Sequence, residues 1–280
     1  MPVEHVVIAG GGGVMGSGVA QVVAGAGLRV TIVEVDQAAL DRGLARIERG
    51  LERRGEEPAV RERISASTDL EAAGAEADHV IETVAEVLAL KEDVLRRLDA
   101  VCREDVVFAS NTSQFAISRL GAATGRPDRV IGSHWFNPPT AMGLIEVVRG
   151  VATSDETLSL ALDLAHRYGK ETVVCRKDTA GFITSRLIAL FMVEAARIVE
   201  EGIADAEDVD RACRLAFGHA MGPLSTADLS GIDVLEAVAD NLARNFGDRF
   251  LPPQSVRALV NAGRLGRKTG RGFMEYDEAR

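Results

Sequence analysis

The residues best suited to chemistry are His134 and Glu146, which lie twelve positions apart. His134 follows the apolar run RVIG and precedes Trp135 and Phe136, so it stands at the end of a predicted strand. Glu146 interrupts a second apolar run, LIEVVRG, where an unpaired charge is costly. A carboxylate that accepts a hydrogen bond from an imidazole orients the ring as a general base, because imidazole ordinarily titrates near neutrality. The two are a candidate acid/base dyad; the alternative is a packed core histidine and an unrelated surface glutamate.

A glycine-rich stretch, AGGGGVMGSGVAQ, follows the first predicted strand. Gly11, Gly13 and Gly16 have the GxGxxG spacing of a turn whose backbone approaches a dinucleotide pyrophosphate at the start of a helix. The next predicted strand ends at Glu34, near the distance expected for an acid that binds the adenosine ribose, and Asp36 is the alternative. A carboxylate there repels a 2′-phosphate, so the pattern favours NAD over NADP. The cofactor contacts expected in this turn are Gly11, Gly13, Val14, Met15 and Gly16.

Polar residues also follow the predicted strand VVFAS, in the stretch SNTSQ (110–114). Ligands of open parallel sheets bind beyond the carboxyl ends of the strands, so Asn111, Thr112 and Ser113 are candidate ligand contacts. The same residues suit an N-cap for a helix beginning near Gln114, and the two roles are compatible. No pair of histidines has the spacing of metal ligands, so no metal is expected. The remaining histidines are expected to be structural: His5, His79 (as a cap of the third strand), His166 and His219.

Around these residues, short Val- and Ile-rich runs alternate with longer helical patterns, which predicts βαβ units and a mostly parallel sheet. The strand signals stop after Asp178, and the apolar stretch 181–202 predicts a long buried helix. The sequence thus predicts an α/β Rossmann-like domain over 1–178 that carries the dyad, followed by an all-α domain over 179–280. The expected strands are 5–10, 29–35, 79–84, 106–110, 129–134, 144–150 and 172–176; the expected helices are 16–25, 37–54, 91–101, 113–123, 181–202, 205–216, 230–246 and 254–262.

Composition excludes several classes of function. The chain has 42 acidic and 32 basic side chains, a formal net charge of -10, which argues against a nucleic-acid partner. Cys102, Cys175 and Cys213 are far apart and form no CxxC pair, which suits a reducing compartment. The N-terminus lacks a basic region before its apolar run, and the apolar stretch 187–193 is too short to span a bilayer. We expect a cytoplasmic protein without nucleic-acid or membrane partners.

Seven motifs, in family order from end to end, resemble those of the L-3-hydroxyacyl-CoA dehydrogenases, most closely the short bacterial 3-hydroxybutyryl-CoA dehydrogenase type. The resemblance implies an NAD-dependent interconversion of an L-3-hydroxyacyl-CoA and a 3-oxoacyl-CoA in fatty acid metabolism. It also implies that the helical domain forms a homodimer and contributes to the substrate cleft. The motifs are GGGGVMGSGVAQ, ASNTSQFAIS, RVIGSHWFNPP, LIEVVRG, KDTAGFITSR, GHAMGPLSTADLSGID and GRLGRKTGRGFMEYD.

The resemblance also implies roles for individual residues. His134 matches the family's catalytic acid/base and Glu146 its partner. Ser113 matches a serine that contacts the substrate's oxygen, and Ser185 stands where relatives have a substrate-contacting asparagine. Asn137 is expected beside both substrate and nicotinamide. The cofactor contacts implied outside the glycine turn are Glu34, Glu86, Lys91, Asn111 and Asn137.

Several positions depart from the family pattern. The motif PGFxxNR reads AGFITSR, with Ala180 and Ser185 in place of proline and asparagine, and Arg61 and Arg63 do not clearly reproduce the lysines that hold the CoA phosphates. Loss of an amide donor can change substrate selectivity. One alternative is therefore the same dyad acting on a free hydroxy acid, a carrier-protein-bound acyl group or an aldehyde hydrate. Another is a non-catalytic NAD-binding protein, as in crystallin relatives of this family.

Overall fold

The structure, a computed structural model, describes residues 2–276 and divides into two compact units, Met1–Thr179 and Ala180–Arg280. The sequence placed the boundary one residue earlier. The first unit alternates strands and helices. Its strands are β1 (His5–Ala9), β2 (Arg29–Val33), β3 (Ile64–Ser67), β4 (His79–Glu82), β5 (Val107–Ser110), β6 (Val130–Trp135), β7 (Leu144–Arg149) and β8 (Glu171–Cys175). Its helices are α1 (Val14–Gly25), α2 (Gln37–Arg54), α3 (Pro58–Glu62), α4 (Leu70–Ala75), α5 (Leu88–Val101), α6 (Ile117–Gly121) and α7 (Asp155–Arg167), with a 3₁₀ turn at Pro127–Arg129.

All eight strands form one sheet, in the order β3-β2-β1-β4-β5-β6-β7-β8. Every neighbouring pair is parallel except β6 and β7, which are antiparallel. Helices cover the sheet, so its central strands are buried along their whole length and read as continuous apolar runs. Ile8 and Ile32, paired in register, are fully buried at the centre of the core. The predicted fold class is confirmed.

Two local predictions in this unit were wrong. Strand β3 was not predicted, because its sequence ISAS is half polar and it pairs only at the edge of the sheet. The helix expected over 113–123 is limited to α6, Ile117–Gly121. Its first N–H groups, from Ile117 and Ser118, donate to the carboxylate of Asp178 at 2.9 and 2.6 Å, so the helix is capped from a distant part of the chain. Residues 111–116, which precede α6, form a loop instead of a helix.

The second unit is helical, as predicted. Leu187 and Ile188 on its long first helix are exposed, so the expectation that this helix is buried holds for only one of its faces. A further helix, outside the expected ranges, begins at Pro223, because proline is well tolerated in the first helical turn. No helix described between residues 2 and 276 has the length and apolarity to cross a membrane. The helices are α8 (Thr184–Glu200), α9 (Ala206–Phe217), α10 (Pro223–Ser230), α11 (Ile232–Phe246) and α12 (Gln254–Asn261), with 3₁₀ turns at Asp248–Phe250 and Arg267–Thr269.

Candidate active site

His134 and Glu146 lie side by side on paired strands. The antiparallel register of β6 and β7 places the two residues directly opposite each other. The imidazole Nδ1 and the carboxylate Oε2 are 2.9 Å apart, and both side chains are buried. Because an ionised carboxylate can only accept, Nδ1 donates this hydrogen bond and Nε2 is the basic nitrogen of the ring. The structure thus brings together the two residues that the sequence singled out.

Glu146 lies in strongly apolar surroundings. Its neighbours Ile145 and Val147 are buried, and the glutamate itself has no exposed surface. An ionised carboxylate in such a place is costly unless it is paired and hydrogen-bonded. His134 supplies the partner, and the carboxylate in turn stabilises the positive charge that the ring gains when it takes a proton. The pair is therefore suited to accept and return a proton at the end of β6.

The residues around His134 hold it from two sides. The ring of Phe136 lies 4.7 Å from the imidazole, centroid to centroid. Trp135 is buried, and its ring lies 5.7 Å from that of Tyr168. The backbone N–H of Trp135 donates to Oδ1 of Asn111 at 2.9 Å. This bond ties the end of β6 to the loop that follows β5, so Asn111 fixes the position of the dyad.

The loop after β6 contacts the first helix. Lys170 Nζ donates to the carbonyl oxygens of Pro139 and Met142 at 2.8 and 2.6 Å, and burial lowers the pKa of this lysine. Pro139 packs on Gly18 of α1, where a Cβ would lie 2.8 Å from the proline ring. Asn137, in the same loop, is exposed to solvent. The helix after the glycine turn and the loop after His134 are therefore in direct contact.

The loop Ser110–Gln114 is organised by Glu86. One carboxylate oxygen, Oε1, accepts from the Thr112 hydroxyl at 2.6 Å and from the backbone N–H groups of Ser113 and Gln114 at 3.0 and 3.1 Å. Thr112 Oγ1 also accepts from the N–H groups of Gln114 and Phe115, as an N-cap does. Ser113 is half-buried in this turn. The loop predicted to contact ligands is thus held in one conformation by a single carboxylate.

Lys91 lies beneath Glu86 and is almost completely buried, with 1% of its side chain exposed. Its Nζ is 3.1 Å from Glu86 Oε2 and 2.9 Å from Oε1 of Glu82, the last residue of β4. It also donates to the carbonyl oxygen of Val84 at 3.2 Å. The ammonium group thus has two hydrogen-bond acceptors and one further carboxylate as an ion-pair partner. Any influence of Lys91 on a bound cofactor therefore passes through Glu86 and the backbone at Val84.

The glycine turn connects β1 to α1 and is held by β2. The N–H groups of Gly10 and Gly11 donate to the carbonyl oxygen of Val33 at 2.9 and 3.3 Å. A Cβ on Gly16 would lie 2.4 Å from the carbonyl oxygen of Gly10, so only glycine allows helix and turn to meet this closely. Gly13 precedes α1 and provides no side-chain cap. The first N–H groups of α1 and the positive end of its dipole are suited to a phosphate.

Glu34 and Asp36, the two candidates for the ribose-binding acid, have different partners. Glu34 Oε1 accepts from the N–H of Gly12 at 2.9 Å, which places the carboxylate against the glycine turn. Asp36 Oδ1 accepts from the N–H of Ala39 at 2.7 Å and caps α2. The N-cap accounts for Asp36. Glu34 is therefore the acid at the turn.

A crevice of about 430 Å³ opens beside the turn. Its described lining includes the glycine turn and Glu34 but neither residue of the dyad, so it suits the adenosine half of a dinucleotide rather than the reacting half. The close-fitting glycines, the acid and this crevice together fit NAD. The lining is formed by Ala9, Gly10, Gly13, Val33, Glu34, Val35, Thr68, Leu70, Thr83, Val84, Ala85, Leu90, Val94 and Arg97.

Family profiles match almost the entire chain. The profile "3-hydroxyacyl-CoA dehydrogenase, NAD binding domain" matches residues 5–179, and "3-hydroxyacyl-CoA dehydrogenase, C-terminal domain" matches residues 181–276. The chain belongs to the 3-hydroxyacyl-CoA dehydrogenase family. This dehydrogenase is an NAD-dependent oxidoreductase, and the dinucleotide that fits its glycine turn and Glu34 is NAD. The predictions of family and cofactor are confirmed.

Individual relatives resemble the dehydrogenase over its whole length. The 3-hydroxybutyryl-CoA dehydrogenase of Mycobacterium tuberculosis is 39% identical over 277 residues, which cover 95% of this chain and 96% of the relative. The crystal structure of FadB2 from the same organism has a TM-score of 0.94 and 38% identity, covering 99% of this chain and 100% of that one. The (S)-3-hydroxybutyryl-CoA dehydrogenase PaaH1 from Ralstonia eutropha has a TM-score of 0.93 and 37% identity, with the same coverage.

The other histidines lie outside this arrangement. His5 Nε2 is 2.8 Å from the Thr31 hydroxyl within the sheet. His79 begins β4, the fourth strand rather than the third; burial lowers its pKa to about 4, and its Nδ1 has no hydrogen-bond partner among residues 2–276. His166 and His219 are exposed. Across the same described residues, no group of three or more His, Cys, Asp or Glu side chains could hold a metal ion.

Sequence reasoning missed Glu82 and the way in which Glu86 acts. Glu82 interrupts the apolar run HVIETV just as Glu146 interrupts LIEVVRG, so the same signal, a charge inside a buried strand, could have identified it. No comparable signal exists for Lys91, because LALKEDVLRRL has the pattern of a partly exposed helix. Ser185 lies in the first turn of α8 and is half-buried.

Proposed function

We propose that this dehydrogenase interconverts an L-3-hydroxyacyl-CoA, such as 3-hydroxybutyryl-CoA, and the corresponding 3-oxoacyl-CoA. The observation that carries the proposal is the buried hydrogen bond between His134 and Glu146 at the end of β6. The names of the M. tuberculosis and R. eutropha relatives support a CoA thioester as the substrate. A dyad of this kind is suited to an alcohol whose proton must leave as its carbon loses a hydride.

In this mechanism the chain's own residues move the proton. NAD, held by the glycine turn and Glu34, would supply the hydride acceptor for the carbon that carries the hydroxyl group. His134 Nε2 takes the hydroxyl proton, and Glu146 stabilises the imidazolium that results. In the reverse direction the imidazolium returns the proton to the carbonyl oxygen. Ser113, whose backbone is held by Glu86, donates a hydrogen bond to the same substrate oxygen.

The cofactor contacts that we propose surround the glycine turn and the two loops beyond it. Glu34 binds the adenosine ribose and disfavours a 2′-phosphate. Asn111 and Asn137 lie in the loops that follow β5 and β6, at the carboxyl edge where an open sheet binds its ligands. Ser185 is a proposed substrate contact by resemblance alone. The proposed cofactor residues are Gly11, Gly13, Val14, Met15, Gly16, Glu34, Glu86, Asn111 and Asn137, together with Lys91, which acts through Glu86 and the backbone at Val84.

A homodimer is the assembly that we propose, paired through residues 179–280, while residues 1–178 bind the cofactor and carry the dyad. Leu187 on α8 is 65% exposed, and Leu215 and Phe217 at the end of α9 are 80% and 66% exposed. The rings of Phe191 and Phe217 lie 5.3 and 5.8 Å from His219, so the apolar residues of α8 and α9 are grouped. Exposed apolar side chains grouped in this way are typical of subunit interfaces.

The dimer is tested by measuring molar mass by light scattering. The wild-type protein should have twice the mass of the chain, and Phe217→Glu should shift the population towards the monomer. The control is Val151→Glu, which places the same charge at a fully exposed position of the first unit. A wild-type protein that is monomeric at micromolar concentration would contradict the proposal.

We further propose that the enzyme works in the cytoplasm without nucleic-acid or membrane partners. Its formal net charge of -10 opposes binding to phosphate backbones. Cys102, Cys175 and Cys213 are all free and buried, which suits a reducing compartment. Fluorescence microscopy of a tagged protein tests the location, and a signal at the membrane or nucleoid would contradict it.

The reaction is tested by following NADH oxidation with acetoacetyl-CoA. The wild-type enzyme should turn over, and His134→Ala should reduce kcat by roughly 10²- to 10⁴-fold, because the general acid is lost. His166→Ala is the matched control, since His166 is exposed on α7. Turnover of free acetoacetate but not of its thioester would move the substrate to a free acid, and Ser185→Asn would then be the first change to test. Tight binding of NADH without turnover of acetoacetyl-CoA or acetoacetate would contradict the proposed catalytic activity.

A further inference from the structure

Three charged side chains form a buried network that is separate from the pair His134 and Glu146. We call Glu82, Glu86 and Lys91 the Lys91 network. Glu82 and Lys91 have no more than 1% of their side chains exposed, and Glu86 is partly buried above them. The ammonium group donates to Glu82 and to the carbonyl oxygen of Val84, and it forms an ion pair with Glu86. The network therefore contains two carboxylates and a single cation, and each depends on the others for its charge to remain buried.

The outer ends of the network reach the loop that carries Ser113. Glu82 Oε2 accepts from the hydroxyl of Ser110 at 2.6 Å, at the end of β5. Glu86 Oε1 accepts the backbone N–H groups of Ser113 and Gln114, while its other oxygen faces Lys91. Lys91 thus determines where Glu86 lies, and Glu86 determines where the backbone of Ser113 lies.

The network also borders the cofactor crevice. The N–H of Val84 donates to Glu82 Oε1 at 2.8 Å, and its carbonyl oxygen accepts from Lys91, so both backbone groups of this lining residue are fixed. A Cβ on Gly10 would lie 2.7 Å from the same Val84 N, which shows how closely this segment packs against the glycine turn. One ammonium group therefore holds a wall of the crevice and, through Glu86, the loop of Ser113.

We propose that Lys91 and Glu82 are positioning residues for the reaction, which act through Glu86 to set the place of Ser113 relative to the cofactor crevice. This rests on the proposed function, in which Ser113 binds the substrate oxygen. Buried ion pairs contribute little net stability compared with apolar residues of similar size. Fixed polar groups contribute more to the reaction rate than to stability at an active site, because a displacement of about 1 Å there lowers the rate roughly a hundredfold.

The test uses the double variant Glu82→Gln with Lys91→Met, which removes the two fully buried charges together and leaves only the partly exposed Glu86 without its cation. Amide hydrogen exchange of the segment 111–116 should rise roughly tenfold, while that of β7 stays unchanged. With acetoacetyl-CoA, kcat should fall roughly ten- to a hundredfold, and the Kd of NADH should rise by a smaller factor, since the glycine turn and Glu34 are untouched and only the crevice wall at Val84 is loosened. The matched control is Glu92→Gln with Arg119→Met, which removes an exposed ion pair between α5 and α6.

Exchange that stays unchanged in 111–116, or that rises equally throughout the protein, would overturn the proposal, because the network would then only stabilise the fold. If the double variant does not fold, Glu82→Gln alone is used, with the same segment expected to exchange faster. A wild-type enzyme that does not turn over acetoacetyl-CoA would contradict the proposed function. The exchange measurement would still decide whether the network positions the loop.

Discussion

Two glutamates in the sheet, Glu82 and Glu146, are both fully buried, and they differ in the cation that accompanies them. Glu146 lies beside an imidazole across the antiparallel pair β6–β7. Glu82 ends β4, in the parallel part of the sheet, beside the ammonium group of Lys91. An imidazole changes its charge near neutral pH, whereas an ammonium group keeps it. The first pair is therefore suited to move a proton and the second to hold neighbouring groups in place.

This difference shows that burial of a charge in a strand does not by itself identify a catalytic residue. The partner decides which role the carboxylate has, and the loops that it reaches decide what is positioned.

Lys91→Met should reduce the free energy of unfolding by about 3–5 kcal/mol, because Glu82 and Glu86 are left without their cation. Urea denaturation measures this effect. Arg119→Met, which breaks an exposed ion pair with Glu92, should cost less than about 1 kcal/mol. If the two variants lost equal free energy of unfolding, the buried ion pairs of Lys91 would matter no more to stability than an exposed pair.

Glu146→Gln should affect activity more than stability. The amide can present its NH₂ group to Nδ1 and so select the wrong tautomer of His134, and it cannot stabilise the imidazolium. We expect kcat to fall roughly 10²- to 10³-fold, measured as NADH oxidation with acetoacetyl-CoA. Glu92→Gln serves as the control, because Glu92 lies on α5 and takes no part in the dyad. Retention of more than half the wild-type kcat would show that the carboxylate does not orient the ring.

His79 is a buried histidine without a carboxylate partner among residues 2–276, and burial disfavours its charged form. Burial lowers its pKa to about 4 from an ordinary value of 6.5, so between these pH values the unfolded chain binds a proton that the folded chain does not. Stability should therefore fall as the pH decreases from 6.5 towards 4, by up to about 3 kcal/mol. His79→Leu should remove this part of the pH dependence in urea denaturation. Parallel curves for variant and wild type would contradict it.

Asp210 represents carboxylates whose partners are backbone N–H groups alone. It is buried, and its two oxygens accept from Leu224 and Ser225 at 2.8 Å each, at the start of α10. Asp210→Asn keeps one acceptor and should cost about 1 kcal/mol in thermal or urea denaturation. Asp205→Asn is the control, since Asp205 caps α9 at the surface and asparagine caps equally well there. If Asp210→Asn and Asp205→Asn lost similar free energy of unfolding, burial of the carboxylate would not explain the effect at Asp210.

The sequence predicted the parallel sheet, the helical second unit, the family and NAD, because these depend on periodicity and on spaced motifs. It also selected His134 and Glu146, since both signals are local: a strand end and a charge within an apolar run. The Lys91 network was not predicted, because burial of a lysine on α5 depends on how β4 and the loop after β5 pack around it. Strand β3 and the distant cap of α6 were missed for the same reason, as both depend on contacts between remote segments.

The single antiparallel pair in the sheet also bears on how the dyad assembles during folding. A parallel neighbour of β6 would need a crossover of a dozen or more residues, whereas β7 returns after a short loop. His134 and Glu146 are thus separated by only twelve residues of chain, so the entropy lost in bringing them together is small. The β6–β7 hairpin has a low contact order and is expected to form early. The glycine turn and Thr83 are more than 70 residues apart, are joined by hydrogen bonds at 3.0 and 3.1 Å, and are expected to come together late.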